Sequence, residues 1–424
     1  MSDPRIERPL LSLLRGHHWR TVLVLALACY WPYAEALHGL WPLRLFGFSV
    51  LVTVLPTSAI LLSFLARAPF ERWRTLVVIV LTGIVVLLGR SAFRLDDEAV
   101  GFLNRVAVLR FLLLVPMMNW LAETAAADGR FRRLAPKIIA VNAAIASAVA
   151  VTYSLQMHHF RVAPGADDLY LVDLQTRAAG LMAGTNVFAN FSVVGMMALA
   201  SAGSAWLLVL SPVLIMGVVA ASSRLALICA IAVLANATIA SRRVKFRLLR
   251  VLAGLAIGAL VVTASAWTGG GDPVVARFGD AFATDTEARL DKYRIGAAAW
   301  ATSPETVLFG ARTSTLVVGM GVGDSFSDNS LLTALTSVGA VATLIFCYQL
   351  FSALGPLVAR RQHLHVLVML ATLLFNNAIL WDVWMFLVLV MCHVSARDQS
   401  AVGVSRIRAA VNSGHYRRRV EATV

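Results

Sequence analysis

Residues 331–351 read LLTALTSVGAVATLIFCYQLF, an unbroken run without a charged side chain. A helix rises 1.5 Å per residue, so about 20 such positions cross the roughly 30 Å hydrocarbon core of a bilayer. Runs of this kind recur along the chain. Of 424 residues 59% are hydrophobic and only 14% charged, with a mean hydropathy of +0.76, a composition that belongs to integral membrane proteins. Twelve apolar segments are predicted as spans, near residues 20–37, 41–65, 74–90, 106–122, 135–156, 180–200, 203–221, 224–240, 247–267, 327–352, 363–381 and 383–396. Barrel strands would show short alternating segments instead, so the expected fold is an all-α polytopic membrane protein.

Charge gives the expected orientation, because cytoplasmic loops accumulate Lys and Arg. With the N-terminus inside, most of the 37 basic residues fall in cytoplasmic segments and most of the 23 acidic ones on the opposite side. Both termini are then cytoplasmic, and the first span reads as a retained signal anchor. The basic stretches SRRVKFRLLR (241–250) and YRRRV (416–420) adjoin spans on the inner side. They read as topology determinants that meet anionic headgroups, and no recognition fold or stacking aromatics accompany them to indicate nucleic acid. Cys29, Cys229, Cys347 and Cys392 lie in separate apolar spans and read as small hydrophobes. His17-His18 and His158-His159 are adjacent pairs that cannot share a helix face, so no metal is expected.

The chain divides into spans 1–9 (1–267), a long outer segment (268–326), spans 10–12 (327–396) and a basic tail (397–424). Connections of this length are usually functional or disordered. This one opens with TGGGDP (268–273) and carries Arg277, Arg289, Lys292, Arg294 and Arg312. Its stretch TEARLDKYRIGAAAWA (286–301) is helix-compatible, with Tyr293, Ile295 or Ala297 and Trp300 available to lie on the membrane surface. A surface helix whose cations touch lipid phosphate is the plainer reading of it.

Further features share the outer side. Arg177 precedes the sixth span in QTRAAGLMAGTNVFANF, where Asn186 and Asn190 lie one helical turn apart. Arg224 sits in ASSRLAL, at the tight turn between the seventh and eighth spans. Polar residues in spans can simply join helices, but a cation with so little loop around it needs a polar cavity or an anionic partner. Asp328, in DSFSDNS (324–330), stands at the entrance of the tenth span. Ser327, Asp328 and Ser330 are all favoured helix caps, so Asp328 reads either as a cap or as a carboxylate that takes a proton from a hydroxyl. Arginines clamp phosphate through a planar donor fork. Together these residue types point to transfer from a lipid diphosphate to an alcohol.

Over residues 170–345 the sequence resembles the O-antigen ligase and O-antigen polymerase (Wzy-type) superfamily of bacterial polysaccharide assembly. The stretches that carry the resemblance are RAAGLMAGTNVFAN (177–190), SSRLAL (222–227), ARLDKYRIGAAAW with LFGAR (288–312) and SDNSLLTALTSVGAVA (327–342). The resemblance implies a C-type glycosyltransferase architecture in the inner membrane, using undecaprenyl-diphosphate-linked glycan at the periplasmic face, with no cofactor. It implies that Arg177, Arg224, Arg289 and Arg294 hold the diphosphate, that Asp328 orients or deprotonates the acceptor, and that Asn186 and Asn329 are substrate contacts. Acceptor glycan lipid, membrane lipids and a chain-length regulator are the implied partners. Asp328 stands where ligases have His, and Thr185 where the family has Pro. The Asp-Asn pair is closer to repeat-unit polymerases; a ligase acting on the lipid A core is the alternative within this chemistry. A flippase or transporter is the alternative of another class, although no repeat relates the two six-span halves.

Overall fold

The computed structural model describes residues 19–45, 48–67, 70–95, 101–155, 185–202, 204–221, 223–240, 281–310, 329–359, 363–375 and 382–395. Nearly all of them are helical. In chain order the helices are α1 (Trp19–Tyr30), α2 (Ala34–Leu40), α3 (Leu55–Arg67), α4 (Phe70–Ala92), α5 (Gly101–Ala125), α6 (Gly129–Leu155), α7 (Thr185–Ala202), α8 (Ser204–Ala220), α9 (Arg224–Ala240), α10 (Ala281–Trp300), α11 (Pro304–Phe309), α12 (Ser330–Ala359), α13 (His363–Phe375) and α14 (Asp382–Ser395). Four stretches are long and apolar enough to cross a membrane: Arg72–Ala92, Val108–Ala125, Gly129–Val151 and Ser330–Gly355. Shorter apolar helices fill the rest of the bundle. The expected ninth span (247–267) lies outside the described residues, as do the basic stretches 241–250 and 416–420.

The exposed apolar surface agrees with a lipid surrounding. Along α4 the side chains of Val77, Val78, Leu81, Ile84, Val85 and Leu88 form an exposed stripe at helical spacing, while Ile79 and Val86 are buried. Such a stripe is costly in water and neutral in lipid. Leu344, Tyr348 and Phe351 continue the outer surface on α12. Inside, small residues set the approach of helices, as expected where packing rather than water drives association. A Cβ at Gly195 of α7 would meet the Ala143 Cβ of α6 at 2.5 Å, and Ser147 of α6 bonds Ser192 of α7 at 3.1 Å. α14 occupies the middle, with residues 384–395 all buried.

Two expected spans are interrupted. Pro32 follows α1, where its ring and missing N–H end the α-helix, and the chain passes through a tight turn over Trp31–Tyr33 before α2. The segment 41–65 becomes a helix only from Val50. Its first residues, Trp41 to Ser49, include a two-rung antiparallel hairpin that pairs Arg44 with Ser49 and Leu45 with Phe48. A wide π-type turn over Val50–Val54 follows, and its exposed carbonyls are used: Tyr30 Oη donates to Leu51 O at 2.6 Å and Trp31 Nε1 to Val52 O at 3.0 Å.

Polar contacts sort the helix ends into two sets. Thr21 Oγ1 donates to Asp128 Oδ2 at 3.4 Å, Arg72 pairs with Glu123 at 3.2 Å, and the Arg20 guanidinium lies 4.7 Å from the Trp120 ring centroid. These gather the starts of α1, α4 and α6 with the end of α5. The opposite end holds the last turn of α4, the heads of α7 and α9, and α10–α12, because α7 runs antiparallel to α6 and α9 returns in the direction of α7. Arg90 marks that end.

Candidate functional site

At the Arg90 end the tenth expected span, α12, is broken. Gly339 adopts φ 74°, ψ 176°, a left-handed conformation that favours glycine, and divides the helix into 330–338 and 340–359. A side chain at Gly339 would overlap the Leu308 carbonyl oxygen at the end of α11. Gly310, also left-handed at φ 92°, stops α11 against the same point, where an added Cβ would lie 2.7 Å from Ser337 O. Each half-helix end leaves carbonyls without an intrahelical donor. Arg90 supplies one: its side chain is buried and Nη1 donates to Phe309 O at 2.6 Å and to Ser337 O at 2.8 Å.

The segment before this junction is stitched to itself. Ser303 and Thr306 form a reciprocal capping box at the start of α11, and Pro304 fills its first position. Thr306 Oγ1 also donates to Trp300 O at 2.8 Å, while Trp300 Nε1 reaches Val307 O at 3.1 Å. The Ser303 hydroxyl, and then its own amide, hold the Glu305 carboxyl below its usual range. Phe309 stacks on Phe93, ring centroids 5.9 Å apart, just past α4. α10 and α11 are therefore docked on the membrane helices. The face of α10 turned to the bundle is Gly296, whose missing side chain admits Leu332 of α12; Ile295, expected to lie on the membrane surface, is exposed.

This packing sets α10, which carries Arg289 and Arg294, against the head of α12, which follows Asn329. Arg289 lies two turns before Gly296 on α10, about 10 Å along the axis. Arg294 is exposed and pairs with Asp291 at 3.1 Å, an i,i+3 surface pair of only about 0.2–0.5 kcal/mol. Such a pair yields readily to a stronger anion. Asn329 precedes α12, and its Oδ1 accepts from the amides of Leu331 at 2.9 Å and Leu332 at 3.0 Å. Asn329 thus caps the helix. Asp328 and Arg177 lie outside the described residues.

Arg224 opens α9 and Asn186 the first turn of α7, at the same end of the bundle, with α13 packed between α9 and α12. Asn186 O accepts from Asn190 Nδ2 at 2.7 Å. That bond lies within α7. Asn190 is fully buried, and its Oδ1 has no partner among the described residues.

Other polar contacts were not singled out from the sequence as candidates. Arg110 of α5 forms an ion pair with Asp382 at the head of α14 and reaches Thr57 Oγ1 at 3.4 Å; the paired side chains are 21% and 16% exposed. Lower on the same two helices His393 Nε2 and Asn119 Oδ1 lie 2.8 Å apart. Arg110 was visible as a cation inside an apolar run. Its partner, 272 positions away, was not. Among the described residues no cluster of His, Cys, Asp or Glu could hold a metal ion, and all four cysteines are free. No protein-family model, curated protein or solved structure matches the chain.

Proposed function

We propose that the protein is a membrane glycosyltransferase of the periplasmic face that acts on undecaprenyl-diphosphate-linked glycan, as a repeat-unit polymerase of O-antigen or exopolysaccharide. The observation that carries the reading is the docking of the arginine-bearing helix α10 on the head of α12, with Gly296 against Leu332. Asn329 already accepts from the first free amides of α12. In this reading Asp328, beside it in sequence, serves as the base.

In this mechanism Arg289, Arg224, Arg177 and, after releasing Asp291, Arg294 hold the diphosphate of one lipid-linked chain. A hydroxyl of the acceptor repeat unit attacks the anomeric carbon from the opposite face. The bond from that carbon to the phosphate oxygen breaks, the configuration inverts, and the lipid diphosphate leaves with the electron pair. Asp328 takes the hydroxyl proton. The leaving group is already anionic, so arginine contacts that tighten as the bond lengthens lower the barrier most.

A transporter or flippase is the second reading, favoured by the broken helix and by the Arg110–Asp382 pair. In transporters, carbonyls freed by a helix break face the transported ion. Here Ser337 O is held by the Arg90 guanidinium, which weighs against that use. The test is chain elongation from purified lipid-diphosphate repeat units in proteoliposomes with chelator present. Arg289→Ala should abolish elongation at unchanged protein abundance, and Arg289→Lys should be nearly as poor because an ammonium lacks the fork. Elongation at the wild-type rate in Arg289→Ala would remove α10 from the site. Lipid-diphosphate translocation without elongation would replace the transferase by the flippase.

A further inference from the structure

We propose that Arg90 is a positioning residue: its guanidinium latches the α10–α11 unit to the upper half of α12, and so fixes how α10 sits against the head of α12. The proposal rests on the glycosyl-transfer reading for its catalytic consequence and on geometry alone for the latch.

Three features meet at this point. Residues 330–338 form a short half-helix that ends at Gly339, and α11 ends at Gly310. Both C-terminal ends converge on the Arg90 Nη1, through Ser337 O at 2.8 Å and Phe309 O at 2.6 Å. A helix C-terminus carries unsatisfied carbonyls and the negative end of the macrodipole, so a cation between two such ends is stabilised by both. Close glycine packing leaves little room for another arrangement. A Cβ on Gly310 would stand 2.8 Å from the same nitrogen, and a Cβ on Gly89, the neighbour of Arg90, 2.5 Å from the Phe309 ring.

The consequence follows from the lever arm. The half-helix 330–338 begins one residue after Asn329 and ends at the Arg90 junction, so a tilt at its foot swings its head. A diphosphate bound by α10 would stay bound while the head of α12 moved off line. Catalysis of this kind is steep in distance, with a misplacement of about 1 Å costing on the order of 10²-fold in rate. Loss of the latch should therefore lower kcat and leave the donor KM nearly unchanged, the signature of a lost transition-state alignment rather than of lost binding. A residue that served stability alone would change abundance and melting and leave the kcat of the folded fraction intact.

Arg90→Met and Arg90→Lys separate these outcomes. In a background lacking the four native cysteines, spin labels at Thr302 and Tyr348 report the distance between the α10–α11 corner and the lower half of α12, both positions being exposed. We expect a broadened or shifted distance distribution in Arg90→Met, a fall of about 10²-fold in elongation kcat with donor KM within about twofold, and partial recovery of both in Arg90→Lys. If Arg90→Met does not accumulate in the membrane, the lysine variant carries the test, with an intermediate kcat expected at normal abundance. A wild-type distance distribution, or a kcat within about twofold of wild type, overturns the proposal. If the wild-type protein itself elongates nothing, the transfer reading falls and takes the catalytic consequence with it, while the distance distributions still decide whether Arg90 is a latch.

Discussion

In the transferase reading Asn329 and Asp328 are neighbours with separable duties. Asn329 accepts two amide hydrogens at the head of α12. Asn329→Ala should therefore cost about 1 kcal/mol of stability, and Asn329→Asp should keep it, since either side chain caps a helix. Asp328→Asn should leave melting in detergent unchanged and lower elongation about 10²–10⁴-fold, because an amide cannot take the proton. An Asp328→Asn protein that elongates normally would sink the base assignment. A second residue-scale expectation concerns Arg110 and Asp382, which are mostly buried together. Removing one partner leaves an uncompensated charge, at a cost of up to about 3–5 kcal/mol for a fully buried pair and less here, where each side chain keeps some exposure. Arg110→Met and Asp382→Leu should each lower the melting temperature more than the double change does. Additive losses in that double-mutant cycle would show the pair to be energetically idle. The sequence exposed such residues unevenly. Arg110 lies as a charge within the apolar run 106–122, whereas Arg90 only ends the run 74–90.

The decisive element is α12, and its break was not legible. SVGAVA (337–342) has the small residues that pack membrane helices closely, so a straight helix was the natural reading. What bends it comes from elsewhere in the chain: the Leu308 carbonyl fills the space a side chain at 339 would need, and Arg90 holds Ser337 O. Gly339→Ala must adopt a left-handed backbone and displace that carbonyl, which together cost at least about 2 kcal/mol. Gly355→Ala, with nothing within 4 Å of its added methyl, is the control and should melt like wild type or slightly higher. Equal melting of the two variants would mean that the bend is not fixed. Other departures were written locally, though weakly. Pro32 ends α1, and Pro42 with Arg44 keeps 41–49 out of the apolar helix that follows, yet hydropathy averaged over a window passes across both. The outer helix was legible as a helix from 286–301. Its partner was not, because Gly296 against Leu332 is a fit between surfaces rather than a pattern.

At the scale of the whole molecule, the site requires that its elements share one side of the membrane. Hydropathy gave the class, since runs of about 20 apolar residues are stable in hydrocarbon and rarely tolerated in water, and the described helices carry four stretches of full spanning length. The number of spans is harder to read from sequence, because α13 and α14 are short and α14 is buried on all sides rather than lipid-facing. Side was assigned by counting charges, whereas the contacts sort the ends by geometry alone. Thr21, Arg72, Glu123 and Asp128 meet at one end, and Arg90, Phe309 and Ser337 at the other. These two routes are independent and lead to one forecast. Arg130 is exposed just past Asp128, and Thr302 is exposed at the α10–α11 corner. In a background without native cysteines, Thr302→Cys should react with a membrane-impermeant thiol reagent added to intact spheroplasts. Arg130→Cys should react only after the membrane is opened. The excess of Lys and Arg expected in cytoplasmic loops is the basis of the assignment, so the reverse labelling pattern would invert it and place the proposed lipid-diphosphate chemistry on the wrong face for a periplasmic polymerase. Labelling of both positions from outside would break the alternation itself, and the docking of α10 on α12 could then no longer be read as a site facing one compartment.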